Sequence, residues 1–351
     1  MTLKRFPWLI DGEAYDREAK HFAYPVFSMS VDFIAEIGTN HNGDKTMALV
    51  MADAAIDAGA DWVKFQIYDL PAFLTPDNVY FADFEREALS FSAFAGIKKH
   101  IEARGGRFLA TPFDLASLHF LHDIECDTIK ISSGDMNNFQ LIGQAIDLKK
   151  RIFISIGGAE LAEIDQTVAF LRDKKAEFII LHCVLSYPAD FCDLNLRFIQ
   201  TLKLRYGGLV GYSDHSPGVE AAVAAVALGA EVIEKHFTID RTLPGGDNAM
   251  SILPEELRRM RRECLNAHLA LGEAERKPSH AEYEVRRFAR KIWYAGRDLA
   301  AGHVISEDDV ILLRPASGAT GFAASDLSRI LGSRLNRPVV KGDVLDVDAV
   351  G

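Results

Sequence analysis

The strongest constraint on the fold is a repeated alternation of short apolar runs with longer amphipathic segments. Eight runs rich in Ile, Val and Phe read as strands: Phe33–Ile37, Trp62–Gln66, Arg107–Thr111, Thr128–Ile131, Ile152–Ser155, Phe178–His182, Leu209–Tyr212 and Val232–His236. Runs of this length and composition suit strands buried on both faces. Between them Thr46–Ala58, Phe94–Arg104, Leu161–Lys174 and Val219–Leu228 carry a helical pattern. A last helix, Pro254–Leu271, has Pro in its first turn and Gly272 at its end. Eight strand–helix units over about 240 residues predict a (β/α)8 or TIM barrel, in the α/β class. A doubly wound open sheet is the weaker reading, because no Gly-x-Gly-x-x-Gly follows the first strand. The connection from Tyr68 to Phe91 reads as a long loop above the barrel, a place where function collects.

Outside residues 33–272 the texture changes. Residues 1–32 mix charges and aromatics (Lys4, Arg5, Trp8, Asp11, Glu13) and read as a structured N-terminal extension, not a signal peptide. Residues 273–287 are charged, contain Pro278 and read as a linker. Residues 288–351 hold short alternating runs at Lys291–Ala295, Gly296–Asp298, Gly302–Val304 and Val339–Gly342, which predict a small, mainly β domain. That domain reads as poor in apolar residues of its own, so it is expected to dock on something larger.

A net charge of −11 argues against a nucleic-acid partner, yet a local group of cations can still receive an anionic small molecule. The four cysteines, Cys126, Cys183, Cys192 and Cys264, form no Cys-x-x-Cys pair, and thinly scattered thiols fit a cytoplasmic chain. No apolar stretch approaches the roughly 20 residues of a membrane helix, so no membrane partner is expected.

Polar residues close nearly every predicted strand: Glu36, Lys64 with Gln66, Thr111, Lys130 with Ser133 and Asp135, Ser155, His182 with Tyr187, Ser213 with Asp214 and His215, and Glu234 with His236. Barrel enzymes build their sites at this C-terminal face. Residues two apart share a face, so Lys64 and Gln66 point together, as do Glu234 and His236. Charges under the helices would be costly, which favours the barrel mouth. His215 and His236 end adjacent strands, with Glu234 and Asp247 near in sequence. Two imidazoles, carboxylates and open positions suit a first-row divalent ion such as Mn²⁺, and the absence of a third Cys or His nearby lowers the case for zinc. Lys64, Lys130, Ser133, Ser155 and Ser213 together suit a phosphate and a carboxylate.

At these positions the chain resembles the N-acetylneuraminate (sialic acid) synthase family. The matching stretches are Ala35-Glu36-Ile37-Gly38 with Asn40-His41-Asn42-Gly43, Val63-Lys64-Phe65-Gln66, Thr111-Pro112-Phe113, and Lys130-Ile131-Ser132-Ser133-Gly134-Asp135 with Asn137-Asn138. They continue with His182-Cys183, Tyr187-Pro188, Gly211-Tyr212-Ser213-Asp214-His215 and Glu234-Lys235-His236-Phe237. The tail, with Leu313-Arg314-Pro315, resembles that family's antifreeze-like (SAF) domain.

The resemblance implies that phosphoenolpyruvate condenses with N-acetylmannosamine or a related 2-acetamido aldehyde, releasing phosphate. The alternatives are a 6-phosphorylated sugar, a 6-deoxy diacetamido sugar of the legionaminate or pseudaminate type, or a catalytically silent carbohydrate-binding homologue. A Schiff-base aldolase using Lys64 or Lys130 is a further rival. The resemblance implies His215 and His236 as metal ligands, for Mn²⁺ with Mg²⁺ or Co²⁺ as alternatives. It implies Lys64, Thr111, Lys130, Ser133, Ser155 and Ser213 as substrate contacts. Glu36, Gln66, Asp135, Tyr187, Glu234 and Asp247 form the inner polar set. Phe288 and Arg314 reach in from the small domain of a domain-swapped homodimer. Three departures from the family pattern bear on the sugar: Leu185 for Asn or Ser, Gly246-Asp247-Asn248 for Pro-Asp-His, and Asp135 for Glu.

Overall fold

The structure, a computed structural model, describes residues 31–315 and 319–351. The expected extension at 1–32 therefore lies almost wholly outside the described residues. Contacts divide the chain into two compact units, meeting in sequence at Gly272 and Glu273.

The first unit is the predicted barrel. Its strands are β1 Asp32–Gly38, β2 Trp62–Ile67, β3 Arg107–Pro112, β4 Thr128–Ile131, β5 Arg151–Ser155, β6 Phe178–Cys183, β7 Val210–Asp214 and β8 Val232–His236. All pair in parallel, in the order β3-β2-β1-β8-β7-β6-β5-β4. β1 ladders to β8, which sets the first and last strands side by side, as in a barrel. No backbone ladder joins β3 to β4 among the described residues.

Period-two alternation sorts the side chains into two populations. One set packs against the helices and forms the large core that includes Phe33, Ala35, Val63, Phe65, Ile129 and Ile233. The other points inward. Its lower layer is the apolar plug Ile34, Trp62, Leu109, Phe153, Leu181 and Val232. At β7 the plug position is Gly211, and a Cβ there would lie 2.5 Å from Leu181 Cδ2 and 2.6 Å from the Val232 carbonyl oxygen. The neighbouring strands fill that space, so the position admits only glycine. Two residues beyond the plug, the same strands present Glu36, Lys64, Thr111, Ser155, Cys183, Ser213 and Glu234. The plug thus serves as the floor of a polar mouth.

Helices run close to their expected bounds, among them Lys45–Asp57, Phe91–Ala103, Leu161–Asp173, Glu220–Ala227 and Pro254–Leu271. Two expectations need correction. The 68–91 connection is no plain loop, since it contains short helices at Leu70–Phe73 and Phe81–Glu87. An aromatic cluster of Tyr68, Phe73, Phe84 and Phe113 packs them together. The 273–287 stretch is likewise not all linker, since His280–Ala289 is helical and starts with a reciprocal capping box between Ser279 and Glu282.

In the second unit β9 Ile292–Ala295 pairs antiparallel with β10 Val310–Leu313. Isolated bridges, such as Leu299 to Val339 and Val304 to Arg334, make up the remaining β contacts. The unit is not short of apolar residues. It has its own core of Ala295, Leu299, Ile305, Phe322, Ile330, Leu335, Val339, Leu345, Ala349 and Val350. The premise that it must dock to bury hydrophobic surface therefore fails.

Candidate active site

The inner layer above the plug is a buried charge cluster. Lys64 Nζ lies 3.0 Å from Glu36 Oε2 and 3.4 Å from Glu234 Oε2, and it donates to Thr111 Oγ1 at 3.3 Å. Lys130 Nζ donates to Glu234 Oε1 at 3.0 Å, and Ser213 Oγ donates to the same oxygen at 2.7 Å. Gln66 donates to Glu36 Oε1 at 3.1 Å. Six strands thus converge on two carboxylates and two ammonium groups whose formal charges cancel.

Burial and pairing act on these groups unequally. Burial alone would lower the Lys64 pKa, but Glu234 and Glu36 together outweigh it and the net shift is upward. For Lys130 burial prevails, because Glu234 is its one carboxylate and the Lys64 charge opposes it, so its pKa falls. Burial would raise the Glu234 pKa, yet Lys130, Lys64 and the Ser213 hydroxyl hold it well below the usual carboxylate range. Glu36 Oε2 and Glu234 Oε2 sit near Lys64 but off hydrogen-bond alignment, and Ser155 Oγ is buried with no partner. Three buried polar atoms thus remain available to a ligand.

The imidazoles lie beside this cluster. The His215 and His236 rings are 5.3 Å apart between centroids, and the Tyr187 ring lies 4.2 Å from His215 and 5.9 Å from His236. His215 Nδ1 donates to the Val184 carbonyl at 2.8 Å, which leaves Nε2 as its lone-pair nitrogen. Burial, then His236, pushes the His215 pKa down to about 3. His236 Nδ1 is buried without a hydrogen-bond partner and lies 3.3 Å from Asp247 Oδ2. A neutral ring and an orphaned ring nitrogen beside a carboxylate fit a cation. Among the described residues no three His, Cys, Asp or Glu side chains converge on one point. A cation held here would therefore keep positions open for substrate or water.

The remaining expected residues divide. Ser133 Oγ accepts from the Gly157 amide at 2.9 Å, at the edge of the cluster. Asp135 turns its carboxylate to Ser132 (2.9 Å) and Asn138 (3.1 Å), so both oxygens are engaged locally. His182 is directed away from the mouth and bonds the Leu194 carbonyl at 2.7 Å. Asp214 also faces the helix side, paired with Lys235 at 2.6 Å. That buried pair, with Tyr212 and Ser216 on Asp214, corrects the expectation that charges would avoid this side. The pairing offsets the desolvation. Phe288 and Arg314 belong to the second unit, Phe288 on the helix His280–Ala289 and Arg314 just after β10, and both are exposed.

Sequence reasoning missed Cys183. Its thiol lies 3.8 Å from His215 Nδ1, so a cysteine does stand beside the imidazoles, contrary to expectation. Burial, against the pull of Lys130, raises its pKa and keeps it a thiol, a poor ligand form. The signal was available, because Cys183 is two residues beyond the plug residue Leu181. Asn248 also becomes clear. It is fully buried, accepts from Thr238 at 2.5 Å, and donates to the Pro244 and Asn40 carbonyls at 2.8 and 3.4 Å. It ties the loop after β8 to the loop after β1.

A parallel barrel with a lysine–glutamate cluster and paired imidazoles at its C-terminal mouth, on a chain that also carries a small β unit, defines a barrel enzyme. The chain belongs to the NeuB family, whose model matches residues 51–276, and the SAF domain model matches residues 290–350. It is 36% identical over 338 residues to the N,N'-diacetyllegionaminic acid synthase of Legionella pneumophila, covering 91% of this chain and 94% of that one. Over 256 residues it is 37% identical to the N-acetylneuraminate-9-phosphate synthase of Drosophila melanogaster, covering 69% of each. The crystal structure of the sialic acid synthetase of Leptospira borgpetersenii superposes with a TM-score of 0.70 at 39% identity, over 73% of this chain and 90% of that one. No helix among the described residues is long and apolar enough to cross a membrane.

Proposed function

We propose that the chain condenses phosphoenolpyruvate with the open-chain aldehyde of a 2-acylamino sugar and releases inorganic phosphate. The observation that carries this is the buried pair of lysines sharing Glu234 beside two imidazoles. One mouth offers cations for a phosphate and a carboxylate, and next to them a place for a carbonyl oxygen. The names of the relatives, synthases of legionaminic and neuraminic acids, support the same reading.

In this reading Lys64, Lys130, Ser133, Ser155 and Ser213 bind phosphoenolpyruvate, whose oxygens compete with Glu234 for the ammonium groups. His215 and His236, with Asp247 beside His236, would hold a divalent cation, by donor type Mn²⁺ with Mg²⁺ or Co²⁺ as alternatives. When bound it supplies Lewis acidity to a carbonyl oxygen. The reaction forms a bond between C3 of phosphoenolpyruvate and C1 of the aldehyde, while the aldehyde oxygen gains a proton. C2 becomes electron-poor and takes up water. With the ammonium groups that hold its pKa down drawn to phosphoenolpyruvate, Glu234 accepts the water proton, which balances the one gained by the aldehyde oxygen. The C2–O bond to phosphate then breaks, and the C2 hydroxyl proton leaves with the phosphate to give the ketone. Holding the two substrates in line supplies most of the acceleration, since effective molarities for such positioning reach about 10⁵ M or more. The plug beneath the cluster excludes bulk water from the reacting atoms. Tyr187, its ring tilted against His215 at 4.2 Å, limits the room for the aldehyde.

The rivals fare less well. A Schiff base needs a neutral amine, which Lys64 does not offer, since against burial its two carboxylates raise its pKa; for Lys130, whose pKa falls, borohydride trapping decides. The Asn248 departure costs the site no donor, because that side chain is spent on the loop tie. The test is phosphate release from phosphoenolpyruvate with a panel of 2-acylamino aldehydes, with mass spectrometry of the product. Turnover that chelation abolishes and Mn²⁺ restores is expected. Release of no phosphate with any aldehyde, or a borohydride-trapped pyruvate adduct on lysine, would refute the reading.

A further inference from the structure

We infer that the buried Lys235–Asp214 ion pair is a positioning clamp. It ties the ends of β7 and β8 together behind the mouth and fixes the separation of His215 and His236. It thereby sets the affinity of the two imidazoles for a divalent cation, though neither residue of the pair faces that cation. The inference rests on the synthase reading above, from which it takes the cation.

Place in the sequence supplies the first argument. Asp214 immediately precedes His215, and Lys235 immediately precedes His236. The β7–β8 ladder sets Tyr212 against Ile233, Ser213 against Glu234 and Asp214 against Lys235, and there it ends. The two imidazoles are thus carried one residue past the last rung, where no ladder between these strands sets their spacing. Alternation turns Asp214 and Lys235 to the helix side and their neighbours inward. The pair therefore stands directly behind two rings whose centroids are 5.3 Å apart.

Its bonds supply the second argument. Lys235 Nζ donates to Asp214 Oδ2 and to the Ser216 carbonyl, both at 2.6 Å. Asp214 Oδ1 accepts from the Ser216 amide at 2.8 Å, from the Ser216 hydroxyl at 2.7 Å and from the Tyr212 hydroxyl at 3.2 Å. The backbone is so held on both sides of His215, and from β8. The Lys235 and Asp214 side chains are 2% and 0% exposed, and none of their polar atoms lacks a partner. They await no ligand of their own. Nor does stability account for them, because apolar side chains of similar volume often serve as well in place of a buried ion pair. What hydrocarbon cannot supply is a directed bond of fixed length between two strands. A cation site with few protein ligands depends on how closely those ligands are held.

The experiment compares the full chain, freed of metal by chelation, with the double variant Asp214→Asn/Lys235→Met. Asparagine keeps the oxygen that accepts from Ser216 and Tyr212, so this variant loses the charges and the tie to β8. A control, Lys203→Met/Glu231→Gln, removes the part-buried pair at the opposite end of β8, 2.5 Å apart. Calorimetry with Mn²⁺, and separately with phosphoenolpyruvate in the absence of metal, is run beside thermal melting. We expect Asp214→Asn/Lys235→Met to bind Mn²⁺ roughly 10- to 100-fold more weakly, the usual effect of losing a group that orients a metal ligand. Its phosphoenolpyruvate affinity and melting temperature should stay close to wild type, and the control should match wild type in both affinities. Unchanged Mn²⁺ affinity in the double variant, or an equal loss in the control, would overturn the inference and leave the synthase reading intact. So would a double variant that does not fold or that loses both ligands in parallel, since the pair would then support the barrel as a whole. Wild type that binds no Mn²⁺ would overturn the inference and the cation of the synthase reading together.

Discussion

Lys64 and Lys130 share one carboxylate, but removing them should have different consequences. Without Lys64, Glu36 keeps only Gln66 as a partner, and an uncompensated buried charge typically costs about 3–5 kcal/mol. Without Lys130, Glu234 still has Lys64 at 3.4 Å and Ser213 at 2.7 Å. Lys130→Ala is thus the cleaner probe of the anion pocket. Calorimetry should show phosphoenolpyruvate binding weakened by roughly 10- to 150-fold, the loss of about 1.5–3 kcal/mol from a charged hydrogen bond, with melting lowered less than in Lys64→Ala. Normal binding in this variant would remove Lys130 from the pocket. Residue identity in the mouth was largely legible in the sequence, because strand alternation assigns a direction to every side chain. Two kinds of residue were not. Asp214 and Lys235 lie under the helices because each neutralises the other, a pairing that single-residue cost arguments overlook. Asp135 matches a motif in type, while its oxygens are taken up by Ser132 and Asn138, which only coordinates reveal.

Elements were legible where burial leaves a periodic trace. All eight barrel strands fall within two residues of their expected ends, because runs packed on both faces are apolar throughout. The helix His280–Ala289 escaped because charged residues dominate it, although Ala281, Val285 and Phe288 at helical spacing and the capping box at Ser279 and Glu282 were its local signals. The plug offers a test at this scale. Gly211→Ala forces a methyl to within 2.5 Å of Leu181 Cδ2 and 2.6 Å of a backbone oxygen. The backbone cannot yield as a side chain can, so β7 must shift. Overpacking of this kind costs about 1–3 kcal/mol. Chemical denaturation should register the loss, and the displacement of Ser213 should lower turnover further. A variant as stable and active as wild type would show that the floor is softer than its packing implies.

At the level of the whole chain, the second unit poses the question of assembly. It has its own core, so its folding does not require association. We propose that Arg314 and Phe288 complete the site of a second copy in a domain-swapped homodimer, since exchange of an element between protomers is a low-cost route to symmetry. Heterodimers of His236→Ala with Arg314→Ala decide it. In the exchanged arrangement one mouth of the pair has both an intact barrel and an intact tail, and activity should recover to roughly half of one wild-type dimer's output. Full activity of Arg314→Ala alone, or of a monomer, would refute the arrangement.

The barrel's eight strands are laddered at every junction but the one between β3 and β4. A hoop with a single unbonded joint can change its girth without breaking a backbone hydrogen bond, much as a split ring springs open while a welded one cannot. The joint borders the two strands that carry Thr111 and Lys130, which face the charge cluster. Slight widening there would loosen Lys130 from Glu234 while leaving the β7–β8 junction, and with it the two imidazoles, in register. In the proposed reaction, the laddered and the unladdered sides of the ring would then serve different partners.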